Sequence, residues 1–190
     1  EDLPTELRGA LWGRFRSALE PLRAAGKLGV VLFQFPPWFV YRPVHLDHIL
    51  ECKEHLAGLT VAVEFRHRSW FEKGRQETVL SFEREHDLTH VVVDEPQGIA
   101  GSIPAAWAAT SPATAVVRFH GRNKDNWVKK GISAAERFNY LYSDTELRDF
   151  PEPIRELSRE SREVHALFNN CYRDNAQRNA LRLQSLLGAG

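Results

Sequence analysis

Only two of the 190 residues are cysteine, Cys52 and Cys171, and neither belongs to a Cys-x-x-Cys pair. That excludes a disulfide framework and a cysteine-based zinc motif, and it fits a reduced, cytoplasmic setting. Net charge is missing too, since 25 basic residues balance 25 acidic ones. No global basic field announces a nucleic-acid binder, so a surface of that kind would have to be local. There is no long uncharged apolar run, signal peptide or lipidation motif, which argues against secretion and membrane insertion. The chain also lacks Gly-x-Gly-x-x-Gly after its first apolar run, a phosphate-loop lysine motif, a Gly-x-Ser-x-Gly elbow and a His-Glu-x-x-His pair. These absences disfavour a nucleotide-binding open sheet, a serine nucleophile and a helix-borne zinc site.

What is present is 43% hydrophobic content, enough to bury the core of one domain spanning residues 1–190. Five short apolar runs read as strands: Leu28 to Gln34, the stretch from Val61 to Trp70, His90 to Asp94, Thr114 to His120 and Val164 to Asn169. Between them lie helical segments. Leu7, Leu11, Phe15, Leu19 and Leu22 recur at spacings of three and four, which predicts an amphipathic helix from Thr5 to about Ala25, its last turn bent or shortened by Pro21. Pro43 suits a first helical position in a helix closed by Gly58, and a helix-favouring segment covers Arg75 to His86. Glu95 to Pro112 reads as a loop with at most a short helix at Ala105 to Ala109. Ser143 and Glu146 form a capping-box pattern, and a last helix runs from about Asp174 to Leu187.

Strands alternating with helices imply parallel pairing through right-handed crossovers. The polar residues gather where each run ends, which favours a TIM-barrel-like (β/α)8 fold over an open doubly wound sheet. A barrel needs eight strands and this sequence supplies about five, so the expectation is a C-terminal barrel portion whose earlier strands precede Glu1.

The strand ends offer Gln34, Glu64, Arg66, His67, Asp94, Arg118, His120, Arg122, Asn169 and Asn170. Side chains two apart share a face, so Glu64 groups with Arg66 and Arg118 with His120. In order, Gln34-Phe35-Pro36-Pro37, EFRHRSW from Glu64 to Trp70, Asp94, RFHGR from Arg118 to Arg122, YLYS from Tyr140 to Ser143 and FNN from Phe168 to Asn170 resemble the YecE-like family. The resemblance spans nearly the whole chain. It implies a TIM barrel and little about chemistry, because that family is a domain of unknown function.

The residues themselves suggest an enzyme, a hydrolase or lyase by chemistry, acting on a small phosphorylated or carboxylated substrate. Glu64, His120 and Asp94 are the candidate catalytic groups. Gln34, Arg66, Arg118, Arg122, Trp127, Asn169 and Asn170 are the candidate substrate-binding groups. The bland alternative makes the same acids and arginines a mutually satisfying structural network, and the aromatic residues caps on the core. No cofactor is required. A second reading gathers Glu64, Asp94 and His120 around a divalent metal for phosphodiester hydrolysis on nucleic acid, and a third is a non-catalytic ligand-binding or partner-recruiting protein.

Overall fold

The computed structural model describes residues 4–72, 74–99 and 101–188. In chain order these form α1 (Thr5–Ala24), β1 (Val31–Gln34), α2 (Pro43–His55), β2 (Val61–Glu64), a 3-10 turn at Arg68–Trp70, α3 (Arg75–Glu85), β3 (Thr89–Asp94) and β4 (Thr114–Phe119). The short helices α4 (Lys124–Trp127), α5 (Ala134–Arg137) and α6 (Asp144–Leu147) follow, then α7 (Pro151–Glu160), β5 (Glu163–Phe168) and α8 (Asn175–Gly188).

All strand pairs are parallel, and the sheet order follows the chain, β1-β2-β3-β4-β5. The expected (β/α)8 barrel is not what forms: β1 pairs only with β2 and β5 only with β4, so the described residues make one open five-stranded sheet. The strand–helix alternation on which that expectation rested is common to open and closed parallel sheets, and closure depends on strand number and tilt, which periodicity does not encode. The sheet is nevertheless strongly curled. Arg118 on β4 donates a 2.8 Å hydrogen bond to Gln34 on β1, two strands beyond its neighbour.

On the convex side, α3 packs on β3, and α7 and α8 pack on β5. Two apolar clusters result. One gathers Ile49 of α2, Val63, Phe65 and Trp70; the other gathers Val117, Phe119, Phe150, Ile154 and Leu183. Trp70 is fully buried, and its indole N–H donates 2.7 Å to the Phe39 carbonyl, so it anchors the loop after β1 rather than facing a ligand. Under α3, the buried Glu83 carboxylate lies 2.9 Å from His90 Nδ1; burial pushes that carboxyl up against the pull of His90.

Helix α1 departs from its predicted packing. It runs through Pro21 to Ala24, but Leu7, Leu11, Phe15 and Leu22 are exposed; Trp12, stacked on His55 at 4.5 Å, and Leu19 are the residues that pack against the core. No helix forms at Ala105 to Ala109. The expected capping box is present at Ser143 and Glu146, and a second forms at Ser133 and Glu136 inside the long polar loop.

Candidate functional site

The period of two decides which side chains meet. The register pairs Gln34 with Glu64, Ala62 with Thr89, Val93 with Arg118, and Arg118 with Leu167. Alternation therefore sends Gln34, Glu64, Arg66, Glu95, Arg118, His120 and Asn169 to the concave face, at or just past the strands' carboxyl ends.

Glu64 is the hub. It is fully buried, and its two oxygens accept from an Arg118 guanidinium N–H, from His120 Nε2 at 3.1 Å and from Arg66 at 3.3 Å. Burial alone would push this carboxyl up, but the hydrogen bond from His120 and, in the acid range where the imidazole is protonated, its charge, then Arg118 and Arg66, overcome it and hold it at about 2. His120 moves the other way. Burial and the two arginines lower its pKa against the attraction of Glu64, so the imidazole is neutral at pH 7. Its hydrogen bonds fit that state: Nε2–H donates to Glu64, while Nδ1 accepts from the Asn169 amide at 3.0 Å.

Both guanidiniums keep donors in hand. Among the described residues Arg66 and Arg118 make their side-chain hydrogen bonds through one terminal nitrogen each, leaving the other N–H groups without a protein acceptor. Arg66 is also capped by Trp127, whose ring lies 5.3 Å from the guanidinium carbon, and Trp127 and Phe138 pack near the His120 ring. Trp127 is buried, so it covers the site rather than offering an open stacking platform.

Glu95, which is not among the strand-end candidates, also joins the concave face. It is only 1% exposed, its Oε1 accepts 2.7 Å from the Ile103 N–H, and its Oε2 sits 3.0 Å from Arg66 without the alignment of a hydrogen bond. Burial pushes the Glu95 carboxyl up to about 7; Arg66 and the Ile103 N–H oppose this, and Glu64 and Asp94 add to it. The signal was available, because counting by twos from Val91 and Val93 arrives at Glu95 and not at Asp94.

Three predicted site residues lie elsewhere. Asp94 is level with Phe119, on the convex face, where it accepts a forked pair of bonds from Arg122 and a 2.6 Å bond from the Tyr142 hydroxyl. Arg122 is thus bound to Asp94 and approaches Glu146 at 3.5 Å. Asn170 is buried and donates to the Tyr140 carbonyl and to Asn179. Glu64 and His120 are therefore separated from Asp94 by the sheet, and among the described residues no three His, Cys, Asp or Glu side chains could together hold a metal ion. That removes the geometric basis for the metal-dependent nuclease reading. Cys171 is exposed and Cys52 is buried in α2, where burial raises its thiol to about 11.

A cavity of about 1260 Å³ lies away from this constellation, between α1 and α2, lined by Leu11, Trp12, Phe15, Phe33, Trp38 and Val44 among others. Its walls are mainly apolar and hold none of the strand-end polar groups. No helix among the described residues is long and apolar enough to cross a membrane.

Residues 3–190 match the model of a family described as a protein of unknown function, DUF72. The chain is 36% identical over 189 residues to the UPF0759 protein YunF of Bacillus subtilis, covering 98% of this chain and 67% of that protein. It also resembles two solved DUF72 family structures. One, from Thermotoga maritima, has a TM-score of 0.83 at 36% identity, over 93% of this chain and 64% of that one. The other, from Enterococcus faecalis, has a TM-score of 0.89 at 29% identity, over 94% and 66%. The chain thus spans about two thirds of the length of the relatives it matches.

Proposed function

The chain belongs to the DUF72 family, and from that premise and the concave-face geometry we propose an enzyme that binds a small phosphorylated or carboxylated substrate at the strand ends and acts on it by proton transfer. One observation carries the reading. Two guanidiniums converge on a single buried carboxylate and still hold N–H donors that no described residue accepts. Those donors are not buried: they open to solvent on the concave face, where an anion can reach them while Glu64 holds both guanidiniums in place.

In this reading Arg118 and Arg66 grip the anionic group, a geometry for which guanidinium is suited. Glu64 stays ionised and fixes both arginines, and Gln34 orients Arg118 from β1. His120, neutral and with its tautomer set by Asn169 and Glu64, takes a proton from the substrate at Nδ1 once the substrate displaces the Asn169 amide, and Glu64 holds the resulting imidazolium through Nε2–H.

The test is a thermal-shift screen of small phosphates, carboxylates, nucleotides, short single-stranded DNA and divalent metals against the wild type and Arg118→Ala. A ligand at one hundred times its dissociation constant adds about 2.7 kcal/mol, which is readily seen. A small anion that stabilises the wild type and not the variant supports the proposal and names a substrate lead. Stabilisation by DNA or metal alone, or by nothing, overturns it. Tight binding of an anion that stays chemically unchanged on long incubation replaces the enzyme with a ligand-binding protein.

A further inference from the structure

Arg66 is shared by two buried carboxylates that differ in how well they are satisfied. Glu64 accepts from Arg118, His120 and Arg66. Glu95 has one oxygen on a backbone N–H and the other, Oε2, buried near Arg66 with no hydrogen bond. Glu95 Oε2 is a buried oxygen without a hydrogen bond on the same face as unused guanidinium donors; protonated, it becomes an O–H donor that an anion docked on those guanidiniums can accept.

We infer that Glu95 is the proton-carrying group of this site: it takes up a proton when an anion docks on Arg66 and Arg118, so that the complex holds a neutral carboxyl O–H beside the bound anion. This rests on the anion-site reading above and goes beyond it by assigning a proton taken up when the anion binds, separate from the one His120 exchanges with the substrate. The charges facing Glu95 make the coupling. From β2 and its extension come Glu64 and Arg66, from β4 and its extension Arg118 and the neutral His120, from its own strand Asp94 through the sheet, and from the following loop the Ile103 N–H. With Glu95 ionised, two carboxylates offset two guanidiniums and an incoming anion meets no net positive charge. With Glu95 protonated, one carboxylate faces two guanidiniums and one positive charge is left for the ligand. The linkage is reciprocal, so an anion on the arginines holds the proton on Glu95. The carboxyl, already shifted to about 7 by burial, can make this exchange near neutral pH.

Sulfate is the probe, because its charge does not change from about pH 5 to 9. Titration calorimetry in two buffers of different ionisation enthalpy counts the protons taken up on binding, and the same titrations follow affinity against pH. The expected result is up to one proton taken up per sulfate and affinity falling as much as about tenfold per pH unit above pH 7, with both effects absent in Glu95→Gln. Sulfate binding that Arg118→Ala abolishes but that takes up no proton and is flat with pH overturns the inference and leaves the anion site standing. A pH slope that persists in Glu95→Gln and disappears in His120→Asn moves the proton to His120 and overturns it as well. No sulfate binding by any of the proteins overturns the anion-site reading and this inference together. The proton count needs only the wild type, so the outcome does not depend on a variant's fold.

Discussion

The two faces of the sheet carry nearly the same inventory at their carboxyl ends and use it differently. The concave face has Glu64 with Arg66, Arg118 and His120; the convex face has Asp94 with Arg122, Tyr142, Tyr140 and Glu146. On the convex side the acid is saturated. Asp94 takes a forked pair from Arg122 and the Tyr142 O–H, the same hydroxyl accepts from the Gly121 N–H, and Tyr140 closes on Glu146 at 2.6 Å. On the concave side Glu95 Oε2 is an orphan and guanidinium donors remain. An acid beside an arginine does not by itself mark a functional site. What distinguishes Glu95 from Asp94 is the carboxylate bonding capacity left over after the protein has satisfied itself.

The largest expected effect separates the faces outright. Asp94→Ala leaves a half-buried guanidinium and a buried phenol without their acceptor, and should cost about 3 kcal/mol, the lower end for breaking a buried pair because Arg122 is 30% exposed. Arg118→Ala leaves Glu64 with Arg66 and His120, so it should cost only about 1–2 kcal/mol in urea unfolding. Ligand response should invert this order: Arg118→Ala loses the thermal shift given by an anion, and Asp94→Ala keeps it. Equal loss of response in both would merge the two clusters into one site.

A pH titration of stability sharpens the contrast within the concave face, because its two acids shift in opposite directions. Glu64 falls from its ordinary 4.5 to about 2 on folding, so its stabilisation is complete above 4.5 and drains away as pH drops toward 2. Glu95 rises from 4.5 to about 7, so its contribution is full below 4.5 and is lost as pH climbs through 7. The alkaline loss should be on the order of 3 kcal/mol in the wild type and absent in Glu95→Gln, read from urea midpoints across this range. Because the depressed imidazole of His120 adds an opposite limb that rises with pH below 6.5, Glu95 is read from the difference between the wild type and Glu95→Gln, and no difference between pH 5 and 8 would show that Glu95 is not shifted.

The loop after β4 tests the convex cluster alone. Gly121 has φ of +85°, and a Cβ there would come within 2.6 Å of Tyr140 Cβ. Gly121→Ala should therefore cost about 2 kcal/mol and push apart the Tyr140–Tyr142 contact that holds the loop. Anion response should survive, since no concave-face donor depends on that contact.

Much of this was legible in the sequence. Five apolar runs, their helical connections and the capping box at Ser143 all follow from periodicity and cap chemistry, and Glu64, Arg66, Arg118 and His120 share a face by alternation. Three things were not. Whether parallel strands close into a barrel depends on strand number and tilt, which the HVVVD and TAVVRF runs do not carry. The α1 stripe of Leu7, Leu11 and Phe15 reads as a buried face, but helix periodicity gives amphipathicity without saying what covers it. At β3 the eye stops on Asp94 because the apolar run ends there, although the pleat carries the concave face one residue further, to Glu95.

Asn169 and Asn170 repeat the comparison at its smallest scale, since neighbouring residues after a strand point to opposite sides. Asn169 donates to His120 Nδ1, whereas Asn170 donates to the Tyr140 carbonyl and to Asn179 and so holds the convex loop. Asn169→Ala removes one hydrogen bond to a buried ring and should cost about 1 kcal/mol, too little to threaten the fold. Its sharper consequence is chemical. Without the Asn169 amide, Nδ1 of His120 has no donor to accept from, and nothing beyond Glu64 selects the Nε2–H tautomer. Nitrogen-resolved NMR of the imidazole should show a change of tautomer population in Asn169→Ala and none in Asn170→Ala. If both variants leave the His120 signals alone, Asn169 is packing rather than positioning, and the neutral imidazole is held by Glu64 and the arginines alone.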